Sequence, residues 1–374
     1  MRLRLGLFCA GAAAAIASLV LARSAAEQAF THTWQPFVLV AGLLLIGVVA
    51  NADGVFGRAA SWLARVTRHD FLLYLAAMLL VALVTVFLNL DTSVAFLTPV
   101  LVLVGRQRAA GEQRLLYGCV FMSNAASLLL PGSNLTNLLI LQDEHVSGTV
   151  FLARMLAPWV ASVAVTALVV AVAFRRKTAG GGNGVTRALE GQVRPLSVAG
   201  ICLAILLMLA LPDAALPILA LGIILTTVRL SQRSIDLRPI RESVDVISLS
   251  GIFLLAVTLG ALARTWSYPA GLMDHTGSVA TAAIGAVAAV LLNNLPAAVL
   301  LGSQSPAHAR SLLLGLNIGP NLALSGSLSA LIWWQAARSV GSRPSARRYS
   351  AVGIVLVPLT LAAALTAAHV FGAQ

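Results

Sequence analysis

Long apolar segments recur along the whole chain, and short polar connections between them carry most of its charges. A helix needs about 20 mainly apolar residues to cross the ~30 Å hydrocarbon layer of a bilayer. The pattern therefore predicts an all-α, polytopic membrane protein. The predicted apolar segments are 5–22, 36–51, 71–104, 115–141, 154–174, 197–211, 215–230, 246–264, 278–302, 311–334 and 350–371.

Two of these segments are interrupted by polar groups near their middle. The run Asn-Leu-Asp-Thr at 89–92 interrupts segment 71–104, and the run Asn-Asn-Leu-Pro at 293–296 interrupts segment 278–302. The length of 278–302 suits a single crossing, so length does not exclude one. The distribution of basic residues decides between a crossing and a re-entrant hairpin. If this segment enters and leaves from outside and the N-terminus is cytoplasmic, all but four of the 25 basic residues lie inside. A crossing leaves fewer inside, so the positive-inside rule favours a re-entrant hairpin.

Segment 71–104 leaves on the side from which it enters, either as a hairpin or as two short spans, and the charges do not separate these cases. Its polar interruption matches that of 278–302, which favours a hairpin. One hairpin then enters from the cytoplasm and the other from outside. This is the arrangement of inverted-topology repeats in many secondary transporters. We expect about nine membrane crossings plus two re-entrant hairpins.

The chain is predicted to divide at a polar, glycine-rich linker, 175–196. A first repeat at 31–174 precedes this cytoplasmic linker, and a second repeat at 197–374 follows it. Residues 1–30 are predicted to be an N-terminal helix or signal anchor. A cleavable signal peptide is the alternative for this segment.

Segments 115–141 and 311–334 are predicted to be helices broken near mid-membrane. Each contains an Asn (Asn124 or Asn317), a Pro, a Gly-Ser pair and further hydroxyls. Proline removes a backbone N–H, and irregular backbone at membrane depth is tolerated only beside protein or a water-filled cavity. When the two Gly-Ser pairs are aligned, Asn124 and Asn317 differ by one position.

The polar clusters on the hairpins and broken helices predict one solute site near the midplane. Half-helix N-termini can bind an anionic or polar solute, and freed carbonyl and side-chain oxygens can bind a small cation. A single Ser, Thr or Asn in a membrane helix usually serves packing, but four clusters in matching places favour a site. The candidate substrate-binding residues are Asn89, Thr92, Asn124, Ser133, Asn134, Asn137, Asn293, Asn294, Asn317, Asn321, Ser325 and Ser327.

Asp91 is the only acidic residue within the predicted apolar segments. An ionisable group at membrane depth is costly and is a functional candidate by default. We expect Asp91 to be the coupling residue, either as a proton carrier or as a ligand for Na⁺. The structural alternative is that it caps the helix after the hairpin tip.

The composition agrees with the membrane prediction and excludes several other classes. The chain is 59% hydrophobic and only 10% charged, so it could not cover a water-facing surface. Its net charge of +12 is spread over short loops, which indicates orientation signals rather than a nucleic-acid partner. Three scattered cysteines form no metal spacing, and we expect no metal, no cofactor and no enzyme activity. An intramembrane enzyme is a distant alternative, because the serines lack a nearby base.

Three groups of residues resemble the ion transporter superfamily and, within it, the arsenite/antimonite efflux permeases. They are 293–296 followed by 316–321 and 326–328, 126–128 leading to 133–137, and 89–92 leading to 98–99. The similarity in order and spacing covers roughly residues 36–371. The Asn-Asn-x-Pro run with the later Gly-Pro and Gly-Ser pairs is typical of the arsenite branch. The first hairpin motif is shared with dicarboxylate, citrate and sodium/proton exchangers.

The distribution of basic residues predicts a cytoplasmic N-terminus, and we expect a multi-pass protein of the inner or plasma membrane. The resemblance implies a moving transport domain with its site at the hairpin tips, and a homodimer. The implied activity is export of a small polar or anionic solute, arsenite or antimonite, by antiport with H⁺ or Na⁺. A soluble ATPase is an implied partner in that branch. Transport of citrate or another dicarboxylate, or sodium/proton antiport, is the alternative within the superfamily.

Overall fold

The structure, a computed structural model, describes residues 2–67, 69–107, 111–141, 147–175, 194–211, 213–244, 246–266, 268–303 and 306–371. Most of the predicted linker 175–196 lies outside these residues. Within them the chain forms helices and no β-strand. The helices are α1 (Arg2–Leu21), α2 (Arg23–Ala52), α3 (Val55–Val66), α4 (Asp70–Leu88), α5 (Leu90–Gln107), α6 (Glu112–Ala126), α7 (Leu135–Ile140), α8 (Gly148–Ala173), α9 (Pro195–Ala210), α10 (Ala215–Ser231), α11 (Leu237–Ser243), α12 (Val246–Thr265), α13 (Tyr268–Asp274), α14 (Ser278–Leu292), α15 (Asn294–Leu301), α16 (Ala309–Ile318), α17 (Leu328–Ser339) and α18 (Ala346–Val370).

Four of these helices, α2, α4, α8 and α18, are long and apolar enough to cross a membrane by length and composition. Shorter apolar helices lie within α1, α9, α10, α12 and α14. The broken helices α6–α7 and α16–α17 follow the two hairpins along the chain. These observations confirm the predicted all-α polytopic class.

The long helices pair crosswise between the two halves of the chain. Helix α1 packs along α12 and α2 packs along α10, and the two contacts are equally extensive. Glycine permits both crossings. A Cβ on Gly42 would lie 2.7 Å from the backbone of Ile218, and one on Gly222 would lie 2.7 Å from the carbonyl oxygen of Gly42. A Cβ on Gly11 would lie 2.8 Å from the carbonyl oxygen of Gly251. Small residues let membrane helices approach this closely.

Each of the two predicted hairpin segments consists of two helices joined at a single Asn, and their re-entry into the membrane stays a prediction. Helix α5 packs back on α4 after Asn89, and α15 packs back on α14 after Asn293. Helix α15 has only 8 residues, about 12 Å, so it is too short to cross a bilayer alone. The second arm of each hairpin also packs on the broken helix of the other half, α5 on α17 and α15 on α7.

Each hairpin tip lies level with the break in a broken helix. Ser93, just after the first tip, has its Oγ 3.1 Å from the Oγ of Ser123 in the last turn of α6. At the second tip, Nδ2 of Asn293 donates to the carbonyl oxygen of Ser325, 3.0 Å away, in the break before α17. The four polar clusters therefore meet in one region.

The structure differs from the sequence prediction at the start of the first repeat. Helix α2 begins at Arg23 and runs without interruption through the predicted boundary at residue 30. Its polar residues do not break the helix, because they bond within it. The Arg23 and Glu27 side chains pair at 2.8 Å, and the Thr33 hydroxyl donates to the carbonyl oxygen of Ala29 at 2.6 Å.

Candidate functional site

The hairpin tips are formed by two Asn residues with the same unusual backbone. Asn89 has a φ of 86° and Asn293 a φ of 81°, a region that non-glycine residues rarely adopt. Each side chain caps the helix that follows. Oδ1 of Asn89 accepts from the N–H of Thr92 at 2.9 Å, and Oδ1 of Asn293 accepts from the N–H of Leu295 at 3.4 Å. The ψ values, 165° at Asn89 and 148° at Asn293, put both residues in a strained region that is essentially restricted to glycine, so the cap hydrogen bonds are what favours Asn at both tips.

The two broken helices restart with matching caps. An extended residue, Asn134 or Ser327, follows a 3-10 turn in each and accepts a hydrogen bond from the backbone two or three residues later. Asn124 lies ten residues before Asn134, and Asn317 lies ten residues before Ser327. Aligning the caps therefore puts Asn124 and Asn317 in register. The one-position difference in the sequence alignment came from matching the Gly-Ser pairs, which occupy different places in the two turns.

Asn317 is the centre of a buried hydrogen-bond network between the broken helices. Its Oδ1 accepts from the Ser127 hydroxyl at 2.7 Å and from Nδ2 of Asn134 at 2.5 Å. Its Nδ2 donates to Oδ1 of Asn137 at 2.8 Å and to the carbonyl oxygen of Leu313 at 2.9 Å. A side-chain amide has two donors and two acceptor sites, so all four of Asn317 are used by the protein itself.

A second amide pair lies beside the first. Nδ2 of Asn124 donates to Oδ1 of Asn321 at 2.8 Å, and Nδ2 of Asn321 donates to the carbonyl oxygen of Phe121 at 3.2 Å. Oδ1 of Asn124 is buried without a hydrogen-bond partner. This pair also joins the first broken helix to the second, and it leaves one acceptor unfilled.

The predicted serines mostly close the turns around the network. The Ser133 hydroxyl donates to the carbonyl oxygen of Ser127 at 2.6 Å, and the Ser325 hydroxyl donates to that of Val290 at 3.2 Å. The hydroxyl oxygens of Ser327 and Ser329 are 2.8 Å apart. Asn137 also donates to the carbonyl oxygen of Ser127, at 2.7 Å. The irregular backbone is thereby satisfied, as burial at membrane depth requires.

Unfilled polar groups gather at the first hairpin tip. Nδ2 of Asn89 and the hydroxyl oxygens of Thr85 and Thr92 are buried without a hydrogen-bond partner. At the second tip, Asn294 is buried, and no described residue hydrogen-bonds to its amide. Buried polar groups are normally paired, so these atoms mark where a ligand or water fits.

Asp91 lies in the first turn of α5, beside these unfilled groups. It is half-buried, and among the described residues none pairs with its carboxylate. The four segments that form the region, 71–104, 115–141, 278–302 and 311–334, contain no Lys, Arg or His. These four segments therefore contribute no positive side-chain charge of their own, although Arg264 and His32 from neighbouring helices line a cavity together with Leu139 and Ala298.

The thirteen predicted residues lie at the hairpin tips or in the broken helices, and eight of them fall into two sets. Asn134, Asn137, Asn317 and Asn321 bond to other parts of the chain, and Asn89, Thr92, Asn124 and Asn294 retain unfilled groups. Sequence reasoning missed Ser127 and Thr85. Each lies three or four residues from a predicted Asn, so helical spacing could have identified both.

A buried ion pair elsewhere in the protein was also missed. The Asp53 carboxylate, after the end of α2, accepts from the Arg229 guanidinium and from the Ser197 hydroxyl. Asp53 and Arg229 are only 5% and 2% exposed. The sequence prediction assigned both residues to loops, because they flank apolar segments. The pair joins the ends of α2 and α10 to the start of α9, away from the hairpin tips.

Comparison with known protein families agrees with this architecture. A family model described as a citrate transporter matches residues 3–334, most of the chain. The chain belongs to the citrate transporter family. A comparison with curated proteins finds no match. Membership of the citrate transporter family supports the resemblance to the ion transporter superfamily and makes the chain a multi-pass membrane transporter of the secondary, anion or citrate type. The narrower resemblance to arsenite permeases is not confirmed and stays a prediction.

Proposed function

We propose that this member of the citrate transporter family moves a small, oxygen-rich anion such as citrate across the cell membrane, coupled to an H⁺ or Na⁺ gradient. The observation that carries this proposal is the convergence of two hairpin tips and two helix breaks on one buried polar region. Unfilled amide and hydroxyl groups there lie in segments that contain one carboxylate, Asp91, and no basic side chain.

The proposed roles follow the division of the amides. Asn134, Asn137, Asn317 and Asn321 hold the two broken helices together, because their hydrogen bonds link one helix to the other. The substrate would use Asn89, Thr92, Asn124 and Asn294, whose polar groups are unfilled or lack a partner. The N-termini of α5 and α15 would add partial positive charge toward an anion.

Coupling is assigned to Asp91 in this proposal. No fixed cationic side chain lies in the four segments that could balance a substrate's negative charge. A proton or a Na⁺ bound at Asp91 would neutralise the region during movement, since uncompensated charge in a low-dielectric site is costly. The two halves, 31–174 and 197–374, would act as inverted repeats that expose the site to each side in turn.

A second candidate substrate is arsenite or antimonite, exported from the cytoplasm. The same absence of Lys, Arg and His favours it, because trivalent arsenic is an uncharged hydroxide near neutral pH and needs only hydrogen bonds. The protein would then work as a homodimer, alone or with a soluble ATPase. These features rest on the sequence resemblance.

Flux of labelled solutes in proteoliposomes tests the proposal and separates the two substrates. We expect gradient-driven uptake of labelled citrate, competed by unlabelled citrate but not by arsenite. Uptake of labelled arsenite that is competed by unlabelled arsenite but not by citrate would support the arsenite candidate. Flux of neither solute above that of empty liposomes would contradict both. The matching variant is Asn294→Leu, which removes a buried amide to which no described residue hydrogen-bonds and should reduce flux of the true substrate.

A further inference from the structure

Helix α3 lies between two apolar helices and has an unusual exposed face. It connects the end of α2 at Ala52 to the start of α4 at Asp70, both of which are long enough to cross a membrane. With 12 residues it is about 18 Å long and only partly apolar, so it cannot itself cross. A short helix that links two such apolar helices is suited to lie along the membrane surface.

The exposed face of α3 alternates basic and apolar side chains. Arg58, Trp62, Arg65 and Val66 follow helical spacing and are exposed, with Trp62 at 57% and Val66 at 59%. An indole and a branched aliphatic side chain left outward beside two guanidinium groups are poorly suited to water alone. The combination suits the headgroup layer, where Trp occupies the interface and Arg pairs with phosphate.

The opposite face of α3 packs on the first hairpin. Phe56 is buried and its ring stacks on that of Phe96 in α5, with centroids 5.6 Å apart and planes at 11°. Phe96 also borders Gly47 of α2, because a Cβ on this glycine would lie 3.2 Å from its ring. Whatever binds the exposed face of α3 is therefore one layer away from the helix that carries Asp91.

We propose that the exposed face of α3 is a binding surface for anionic phospholipid, and that lipid bound there stabilises the first hairpin. The positive charge of α3 favours anionic phospholipid over zwitterionic phospholipid. Helix α3 contains two exposed arginines and no acidic residue. Anionic headgroups attract such juxtamembrane basic residues. The proposal does not depend on which solute is transported.

Thermal unfolding of the full chain in neutral detergent tests this binding. Phosphatidylglycerol should raise Tm more than an equal amount of phosphatidylcholine. The double variant Arg58→Gln with Arg65→Gln should lose at least half of that difference. A control with the same charge change, Arg343→Gln with Arg347→Gln, should keep it.

The proposal is overturned if the two lipids act alike, if the α3 variant keeps the full difference, or if the control loses as much. It is also overturned if glycerol phosphate alone reproduces the effect, because the site would then bind a soluble anion.

A spin label at position 62 gives an independent test that does not rely on variant stability. The label is attached to Trp62→Cys in a chain whose native cysteines, Cys9, Cys119 and Cys202, are replaced by Ser. In vesicles containing phosphatidylglycerol, apolar molecular oxygen should increase the spin relaxation rate of the label more than a water-soluble nickel chelate does. Stronger relaxation by the nickel chelate would place this face in water and contradict the proposal.

Discussion

Nδ2 of Asn317 donates a hydrogen bond to Oδ1 of Asn137 across 2.8 Å, and this bond joins two residues that are 180 positions apart in the chain. Both residues belong to broken helices, one from each half. Because Asn317 fills its remaining capacity with Ser127, Asn134 and Leu313, the broken helices are held to each other by protein groups alone. In the proposed alternating access, such a link would make both breaks move as one unit.

This link predicts different effects on Tm for substitutions of Asn317 and Asn294. Asn317→Ala removes the partner of Nδ2 of Asn134 and of Oδ1 of Asn137 at a buried position, and each unpaired buried group costs about 1–3 kcal/mol. We expect a clear fall in Tm together with loss of transport. Asn294→Ala should leave Tm near that of the wild type and raise the KM for the substrate. Thermal unfolding and initial uptake rates measure both. Equal Tm values for the two variants would contradict the structural role of Asn317.

The second hairpin predicts a specific pattern of labelling by a membrane-impermeant thiol reagent. In a cysteine-free chain, Gly277→Cys before the hairpin and Ala307→Cys after it should react from the same side, because α15 returns along α14. Both positions are exposed, and a Cβ at Gly277 meets no other atom within 4 Å. Arg343→Cys, beyond the broken helix α16–α17, should react from the opposite side. Labelling of positions 277 and 307 from opposite sides would show that 278–302 crosses the membrane.

The ion pair between Asp53 and Arg229 predicts a large stability effect that a surface pair does not have. Asp53→Asn leaves the Arg229 guanidinium buried without its counter-charge, which costs about 3–5 kcal/mol when one partner of a buried pair is removed. The control is Glu27→Gln, which breaks the exposed Arg23–Glu27 pair and should leave Tm close to that of the wild type. Replacing both Asp53 and Arg229 by Leu should recover part of the lost Tm. Similar Tm values for Asp53→Asn and Glu27→Gln would show that the pair does not stabilise the helix ends.

The sequence contained most of the architecture, since apolar length marks membrane helices and a polar run within an apolar segment marks a break. It located Asn89, Asn293 and both broken helices. It did not reveal that Asn317 would be saturated and Asn294 left open, because that depends on which helix faces which. The Asp53–Arg229 pair could not be predicted from the sequence either, because the packing of α2 on α10 is what buries its members. The extension of α2 to Arg23 was missed because bonds within a helix can satisfy polar residues.

The coupling role of Asp91 is tested most directly by comparing two kinds of flux in proteoliposomes. Asp91→Asn keeps the size and polarity of the side chain but cannot change charge. We predict that this variant loses uptake of labelled substrate driven by an H⁺ or Na⁺ gradient and retains exchange of labelled for unlabelled substrate, whereas the wild type shows both. Gradient-driven uptake at the wild-type rate in the Asp91→Asn variant would contradict the account.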